Sequence, residues 1–185
     1  MPEKRSGCPV VSPEETILQT RVGRVVSAAV QNRRTGKTET FYRFLFSDWV
    51  NIIALTSQHE IVLIRQFRYG SGRVELEIPG GAIENGESPL EAGQRELLEE
   101  TGYVGRNGKV IGDVLPNPAI QNNRCYTVVL EDVKQVSGQN MDEMEDIDVE
   151  VVPFAHIDSL IRSGKISHGL VLNALMLYEK ARNIR

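Results

Sequence analysis

Apolar and polar positions alternate along much of the first half of the chain, and such alternation predicts β-strands. Residues 16–30 and 38–46 are rich in Val, Ile and aromatic side chains, and a polar turn at residues 32–37 separates them. We expect these two runs to form an antiparallel β section that precedes the main domain. Shorter apolar runs predict six further strands, at residues 49–56, 60–67, 74–78, 110–115, 125–133 and 149–153.

The clearest helix signal lies between Ser88 and Gly102. Ser88 can cap the helix, Pro89 suits its first position, and Glu91 completes a capping box. Gly102 is the residue type that most readily adopts the left-handed conformation of a helix C-terminus. Two more helices are predicted at residues 156–162 and 168–182.

This order of strands and helices predicts an α+β fold in which a mixed sheet lies between helices. The length of 185 residues suits one domain with a short extension. We therefore expect an N-terminal antiparallel β extension at residues 1–46 and a main domain at residues 47–185.

Composition narrows the class of protein. Hydrophobic residues make up 41% and charged residues 25%, which is ordinary for a soluble globular protein. A net charge of −4 argues against a nucleic-acid binder with a broad basic face, although it allows a small basic pocket for phosphates.

The two cysteines, Cys8 and Cys125, can pair in principle, but their small number favours a reduced, cytoplasmic protein. No apolar run reaches the length of a signal core or a membrane span, so we expect no membrane partner.

The predicted helix carries an unusual acidic face. With about 100° of turn per residue, Glu96, Glu99 and Glu100 fall within an arc of about 100°. Like charges this close repel one another, and Mg²⁺ is a natural compensator because it takes oxygen ligands. Arg95 lies four residues before Glu99 and can pair with it. At Gly80 and Gly81 the backbone can come close to the site, so that a backbone carbonyl there can join the coordination.

Residues 81–103, GAIENGESPLEAGQRELLEETGY, resemble the Nudix box, the sequence signature of Nudix hydrolases. The matching positions are Gly81, Glu87, Arg95, Glu96, Leu97, Glu99, Glu100, Gly102 and Tyr103. The resemblance implies a Nudix α/β/α sandwich that splits a diphosphate linked to another moiety. It also implies that Glu96, Glu99 and Glu100 bind Mg²⁺, for which Mn²⁺ can substitute, with two or three ions per site.

Segments outside the box resemble ADP-ribose and nucleoside-diphosphate-sugar pyrophosphatases. The first two are residues 65–69, RQFRY, and residues 75–81, ELEIPGG. This resemblance implies that Arg68 contacts the phosphates or terminal ribose of the substrate and that the Gly80 carbonyl binds metal. Arg65 and Glu77 are further candidates for substrate binding.

An acidic loop follows later in the chain, at residues 143–149, EMEDIDV, and it resembles the corresponding loop of the same subfamily. The resemblance implies that Glu145 binds metal and that Glu143 acts as the base. Cations held by these carboxylates neutralise the diphosphate and acidify a bound water. Glu143 is our first candidate for taking the proton of that water and Glu99 the second, with Glu100 as a third catalytic carboxylate. The products from ADP-ribose would be AMP and ribose 5-phosphate.

Relatives of the ADP-ribose type use an N-terminal β section to pair subunits. Residues 16–46 form a strand pair with little room for a core of its own. From the resemblance and this shape we expect a homodimer that acts on a small nucleotide-sugar substrate.

Several alternatives remain open at this stage. An acidic helix face is most often solvated surface, and Arg68 can be an ordinary surface arginine at a strand end. Glu77 either faces the metal or caps a neighbouring backbone group. The other Nudix chemistries are hydrolysis of dinucleoside polyphosphates, coenzyme A or capped RNA. A non-enzymatic Nudix-fold nucleotide sensor is the last alternative, although a sensor need not keep the catalytic acids that this chain has. The preferred base and sugar are not determined by the sequence.

Overall fold

The computed structural model describes residues 8–141 and 144–182, and these residues group into two compact units. The first unit takes the described part of Met1–Ser47 together with Leu115–Asn123, and the second takes the described parts of Asp48–Val114 and Arg124–Arg185. The loop at residues 115–123, which we predicted within the main domain, groups with the first unit.

Hydrogen bonds explain why that loop groups with the first unit. The Phe44 N–H donates to the Ile120 carbonyl at 2.8 Å. The Phe46 N–H donates to Asn122 Oδ1 at 2.9 Å. The loop thereby satisfies backbone groups at the end of a strand in the first unit, which nothing in the local sequence signals.

The first unit holds one antiparallel sheet of strand order β1-β2-β3. Its strands are β1 (Glu15–Gln19), β2 (Gly23–Gln31) and β3 (Thr38–Phe46). The single strand predicted at residues 16–30 is wrong, because a turn divides it. The N–H of Thr20 donates to the Gly23 carbonyl at 2.8 Å, and its hydroxyl donates to the same oxygen at 2.7 Å. The chain reverses there, and β1 pairs with β2.

In its described residues the second unit contains two sheets and three α-helices. Its strands are β4 (Trp49–Ala54), β5 (Glu60–Arg68), β6 (Arg73–Glu77), β7 (Gly80–Ala82), β8 (Tyr103–Val114), β9 (Cys125–Gln135) and β10 (Ile147–Pro153). Its helices are α1 (Pro89–Thr101), α2 (Ile157–Arg162) and α3 (Gly169–Arg182), with a 3₁₀ turn at Phe154–His156 before α2. No helix in the described ranges is both long and apolar enough to cross a membrane.

The sheets confirm the predicted α+β class. One sheet has the order β10-β5-β6 and is antiparallel, and the other has the order β7-β4-β9-β8. In the second sheet β4 and β9 run parallel while the other pairs are antiparallel, so that sheet is mixed. Strand β8 begins seven residues earlier than predicted. Gly105, Asn107 and Gly108 interrupt its apolar pattern and coincide with irregular pairing to β9.

Adjacent residues of β4 show how the helices flank the sheet. Successive side chains of a strand point to opposite faces. Ile52 packs in a core with Leu97 of α1, whereas Ile53 packs in a second core with Leu175 of α3. Both isoleucines are fully buried. Helices α1 and α3 therefore lie on opposite faces, which is the predicted α/β/α sandwich.

Helix α1 forms for the reasons that the sequence indicates. The Ser88 hydroxyl accepts the Glu91 N–H, and the Glu91 carboxylate accepts the Ser88 N–H at 2.9 Å, so the capping box is complete. Gly102 ends the helix with φ of 73°, and its N–H donates to the Leu98 carbonyl. The helix therefore has defined ends, and its acidic residues keep a constant position over the sheet.

Candidate active site

Helix α1 places its three acidic residues in three different environments of the second unit. Leu97 is fully buried in the core beneath the helix. The Glu99 side chain is 39% exposed and that of Glu96 only 14% exposed. Glu100 is 3% exposed, so this part of the acidic face is not solvated surface. The difference arises because strand β7 covers the end of the helix.

Glu100 is the most perturbed carboxyl group of this cluster. Its Oε2 accepts a 2.9 Å hydrogen bond from the Gly80 N–H. Burial raises the pKa of Glu100 to about 8, and the charges of Glu96 and Glu145 add to the rise. The Gly80 hydrogen bond and the Arg68 charge act in the opposite direction. A buried carboxylate with too little compensating charge is the type of group that a cation stabilises.

Arg95 holds the other acids of the box. Its Nε and Nη2 each donate to the Glu87 carboxylate at 2.9 Å. Its Nη1 donates to Glu96 at 2.9 Å and to Glu99 at 3.1 Å, the second contact being the predicted one. Its Nη2 also donates to the Ala82 carbonyl at 3.0 Å. One guanidinium thus joins the helix, the preceding loop and strand β7. The Glu87 contact is the main cause that raises the pKa of Arg95.

The absence of a side chain at Gly81 leaves room for the Glu96 carboxylate. A Cβ atom at Gly81 would overlap the carboxylate oxygens of Glu96. Burial raises the pKa of Glu96, the Arg95 contact opposes this, and the charges of Glu99 and Glu145 raise it further. Glu145 therefore lies within electrostatic reach of both Glu96 and Glu100. Glu143, our first candidate for the base, lies outside the described residues.

The half-buried Arg68 and the buried Glu77 form an ion pair beside the cluster. Arg68 Nη2 lies 2.6 Å and its Nε 3.1 Å from Glu77 Oε2. Glu77 is 2% exposed, and its other oxygen lies 2.9 Å from His168 Nδ1. Burial works to raise the pKa of Glu77, but the contacts with His168 and Arg68 outweigh it, and the pKa is lowered. Nothing in the local sequence indicates this contact, because His168 is 91 residues away from Glu77 and belongs to no motif.

The side chains of Arg65 and Arg68 point to opposite faces of strand β5. The two residues are three positions apart in β5, whose pairing with β6 is regular at this point, so their side chains point to opposite faces. Arg65 donates through Nε at 2.9 Å and Nη2 at 2.7 Å to one oxygen of Glu150 on β10. The structure therefore brings Arg68, but not Arg65, to the face that carries Glu77.

The donor chemistry of the cluster fits a hard divalent cation. Such a cation prefers carboxylate and carbonyl oxygens, which Glu96, Glu99, Glu100, Glu145 and Gly80 supply. The raised pKa of the buried Glu100 and the close contact of Gly81 with the Glu96 carboxylate are the observations that support the fit. Across residues 8–141 and 144–182, no three acidic, His or Cys side chains already converge as a metal cage. Glu96 and Glu99 instead contact Arg95.

Comparisons with known proteins identify the family of this chain. The model of the NUDIX domain matches residues 45–174. The ADP-ribose pyrophosphatase of Bacillus subtilis is 27% identical over 158 residues, which cover 83% of this chain and 85% of the relative. The ADP-sugar pyrophosphatase of Mus musculus is 37% identical over 107 residues, which cover 52% of this chain and 49% of the relative. The alignment thus spans about half the length of the mouse protein.

A crystal structure of an ADP compounds hydrolase is similar over most of the fold. Its TM-score is 0.83, and the match covers 94% of this chain and 92% of the other at 24% sequence identity. This likeness supports the fold alone. The family model covers most of the chain, including the whole acidic helix and the strands around it. The chain therefore belongs to the NUDIX domain family and is a Nudix hydrolase.

Proposed function

We propose that this protein hydrolyses the diphosphate bond of ADP-ribose or of a nucleoside diphosphate sugar and releases a nucleoside monophosphate and a sugar phosphate. The observation that carries the proposal is the buried Glu100 on an acidic helix face, with the Arg68 charge close enough to affect its pKa. A cation site beside an arginine suits a dianionic linkage. The names of the Bacillus subtilis and mouse relatives support the substrate class.

Nudix hydrolases generally need a divalent metal ion. We propose Mg²⁺, with Mn²⁺ as a substitute, in two or three ions held by Glu96, Glu99, Glu100, Glu145 and the Gly80 carbonyl. Such ions, when bound, would neutralise the phosphate oxygens and lower the pKa of a bound water. The raised pKa of Glu100 supports its place in this set, because a buried carboxylate gains most from a neighbouring positive charge.

Protein side chains bind the substrate and accept the proton of the attacking water. Arg68 binds the diphosphate and orients it. Glu143 accepts the proton of the attacking water, with Glu99 as the second candidate, and the resemblance of residues 143–149 to the acidic loop of relatives supports this order. Water attacks one phosphorus, the P–O bond to the bridging oxygen breaks, and the other phosphate leaves.

A substrate panel tests the proposal. ADP-ribose, ADP-glucose, GDP-mannose and UDP-glucose are incubated with Mg²⁺ or Mn²⁺, and the products are separated by chromatography. AMP with ribose 5-phosphate, or a nucleoside monophosphate with a sugar 1-phosphate, supports the proposal. Turnover of only dinucleoside polyphosphate, coenzyme A or capped RNA would assign a different Nudix chemistry. Binding without any turnover would indicate a nucleotide sensor.

We also propose that residues 1–46 mediate a homodimer. Strands β1–β3 and the segments beside them expose apolar side chains that a partner can cover. These side chains are Val10, Val11, Ile17, Leu18, Val22, Phe41 and Tyr42, each more than half exposed. Light scattering at micromolar concentration tests the proposal, and a monomeric mass would contradict it.

A further inference from the structure

Glu77 is a buried carboxylate fixed between two cationic or polar groups that come from distant parts of the chain. One oxygen contacts Arg68 of β5, and the other lies 2.9 Å from His168 Nδ1, which immediately precedes α3. The Glu77 side chain is 3% exposed. Burying a carboxylate is costly unless partners satisfy it, so both contacts are needed to hold the group there. Glu77 therefore couples the position of Arg68 to that of His168.

His168 sits on a rigid support. Its carbonyl accepts the Leu172 N–H at 3.0 Å, which places it at the start of α3. Val171 and Leu175 anchor that helix in the core, with 1% and 3% exposure. The His168 Nδ1 atom is itself buried, and within the described residues it makes no contact with full hydrogen-bond geometry, so its 2.9 Å approach to the Glu77 oxygen is a close polar contact. A side chain anchored in this way can fix its partner more firmly than a residue on a mobile loop can.

The neighbouring residues repeat the connection between the α3 segment and β6. The Ser167 hydroxyl lies 3.4 Å from Glu75 Oε2, and Arg73 contacts both groups. Glu75 and Glu77 are alternate residues of one strand and so lie on one face. The segment before α3 is thus held along β6 by two consecutive polar contacts.

Arg68 is oriented by this arrangement. Both its Nε and its Nη2 donate to a single oxygen of Glu77, which leaves Nη1 without a hydrogen-bond partner in the described part of the chain. The side chain is 31% exposed, and its charge acts on Glu100. The free end of the guanidinium is therefore available beside the acidic cluster.

We propose that His168 is a positioning residue for Arg68, acting through Glu77. His168 holds the Glu77 carboxylate in one rotamer, and that carboxylate holds the guanidinium so that Nη1 is presented to the diphosphate. His168 itself touches no substrate. This inference rests on the proposed function, because it assigns Arg68 to the diphosphate of a nucleotide sugar.

A double-mutant cycle separates positioning from a general structural role. His168→Ala should raise the KM for ADP-ribose about tenfold, below the ~100-fold that a full 1 Å misplacement can cost. Its kcat should change less than about twofold, because the metal-binding acids are intact. In an Arg68→Ala background the same substitution should change KM by less than about twofold, since the residue through which it acts is gone. Equal effects in both backgrounds would overturn the proposal, as would an unchanged KM for His168→Ala.

Two further variants sharpen the cycle. His168→Asn keeps an N–H donor near the place of Nδ1 and should bring KM back to within about threefold of the wild type. His156→Ala is the matched control, because His156 is an exposed histidine at the start of α2 with no side-chain cap contact. Its kinetics should equal those of the wild type. A failure of Asn to rescue, or an equal loss in the His156 variant, would contradict the role assigned to His168.

An NMR measurement that needs no hydrolysis tests the positioning role of His168 independently of the proposed function. In ¹H–¹⁵N spectra the Arg68 Nε–H signal is assigned by its loss in Arg68→Lys. It should be sharp in the wild type and in His156→Ala, and shifted and broadened in His168→Ala, while the backbone signals show an intact fold. An unchanged Arg68 signal in His168→Ala would overturn the positioning role. If the wild type hydrolyses no nucleotide sugar, the proposed function fails and this signal alone decides the role of His168.

Discussion

The Gly80 N–H donates a 2.9 Å hydrogen bond to Glu100 Oε2, and this bond joins strand β7 to the last turn of helix α1. Because the strand covers the end of the helix, Glu100 is buried while Glu99, one residue earlier, remains partly exposed. The same contact places the Gly80 backbone beside the acidic cluster. One hydrogen bond therefore brings together two of the proposed metal ligands.

Glu100→Gln should abolish most hydrolysis without loss of stability. The amide oxygen can still accept the Gly80 N–H, and no charge is buried. We expect kcat/KM to fall on the order of 100-fold. In EDTA the free energy of unfolding should stay within about 1 kcal/mol of the wild type or rise. Urea unfolding and steady-state kinetics measure both quantities. Glu179→Gln, at an exposed position of α3, is the control, and equal activity of the two variants would refute the catalytic assignment.

Divalent metal should stabilise the wild type more than Glu100→Gln. A ligand present at 100 times its Kd adds about 2.7 kcal/mol to the free energy of unfolding. Mg²⁺ or Mn²⁺ added to EDTA-treated, dialysed protein should therefore raise the Tm of the wild type. The variant, which lacks one proposed ligand, should show a smaller rise in differential scanning fluorimetry. The same rise in both proteins would place the metal elsewhere.

Gly81→Ala should displace the Glu96 carboxylate. The added Cβ overlaps the carboxylate oxygens, so either the side chain or strand β7 must shift. We expect a loss of about 1–3 kcal/mol in stability together with a loss of hydrolysis. Gly70→Ala is the matched control, because nothing lies within 4 Å of a Cβ there. Circular dichroism melting and the ADP-ribose assay test both variants, and full activity of Gly81→Ala would contradict the close contact.

Arg95→Lys should weaken the fold around the box. Lysine cannot reproduce the paired contacts with Glu87 while also reaching Glu96. Charge-assisted hydrogen bonds typically contribute about 1.5–3 kcal/mol, and we expect a loss of that size in urea unfolding. Arg162→Lys, whose side chain is 83% exposed beside Asp158, should change stability by less than about 1 kcal/mol. Similar losses in the two variants would show that Arg95 has no special role.

Glu77 should contribute stability that depends on pH. Burial acts to raise its pKa, but the contacts with His168 and Arg68 lower the pKa below the ordinary value of 4.5. The ionised group therefore stabilises the fold above pH 4.5, and this contribution is lost as the pH falls through the folded-state pKa. The difference in unfolding free energy between the wild type and Glu77→Gln should be large at pH 7 and shrink toward pH 3. A difference that is constant with pH would contradict this linkage.

Local chemistry explains how much of the site the sequence predicts. Helix capping acts within three or four residues, so Ser88 and Gly102 indicate both ends of α1. Helical periodicity places Glu96, Glu99 and Glu100 on one side, and Arg95 within reach of Glu99. Alternation along the strands and the apolar face of α3 likewise indicate the α+β class. These features depend on neighbours in the chain and need no knowledge of the tertiary fold.

The sequence by itself thus determined the acidic helix and the α+β class, because periodicity and spacing carry that information, while the reaction class and the α/β/α sandwich followed from the resemblance of residues 81–103 to the Nudix box. Only the tertiary structure decided that Glu100 is buried under β7, that Arg65 turns away to Glu150 and that His168 meets Glu77. These relationships join residues 20, 85 and 91 positions apart, and long-range contacts depend on how the elements pack. Burial sets the pKa of Glu100, and the face of strand β5 sets the direction of Arg65 and Arg68. No local pattern of residues specifies either property.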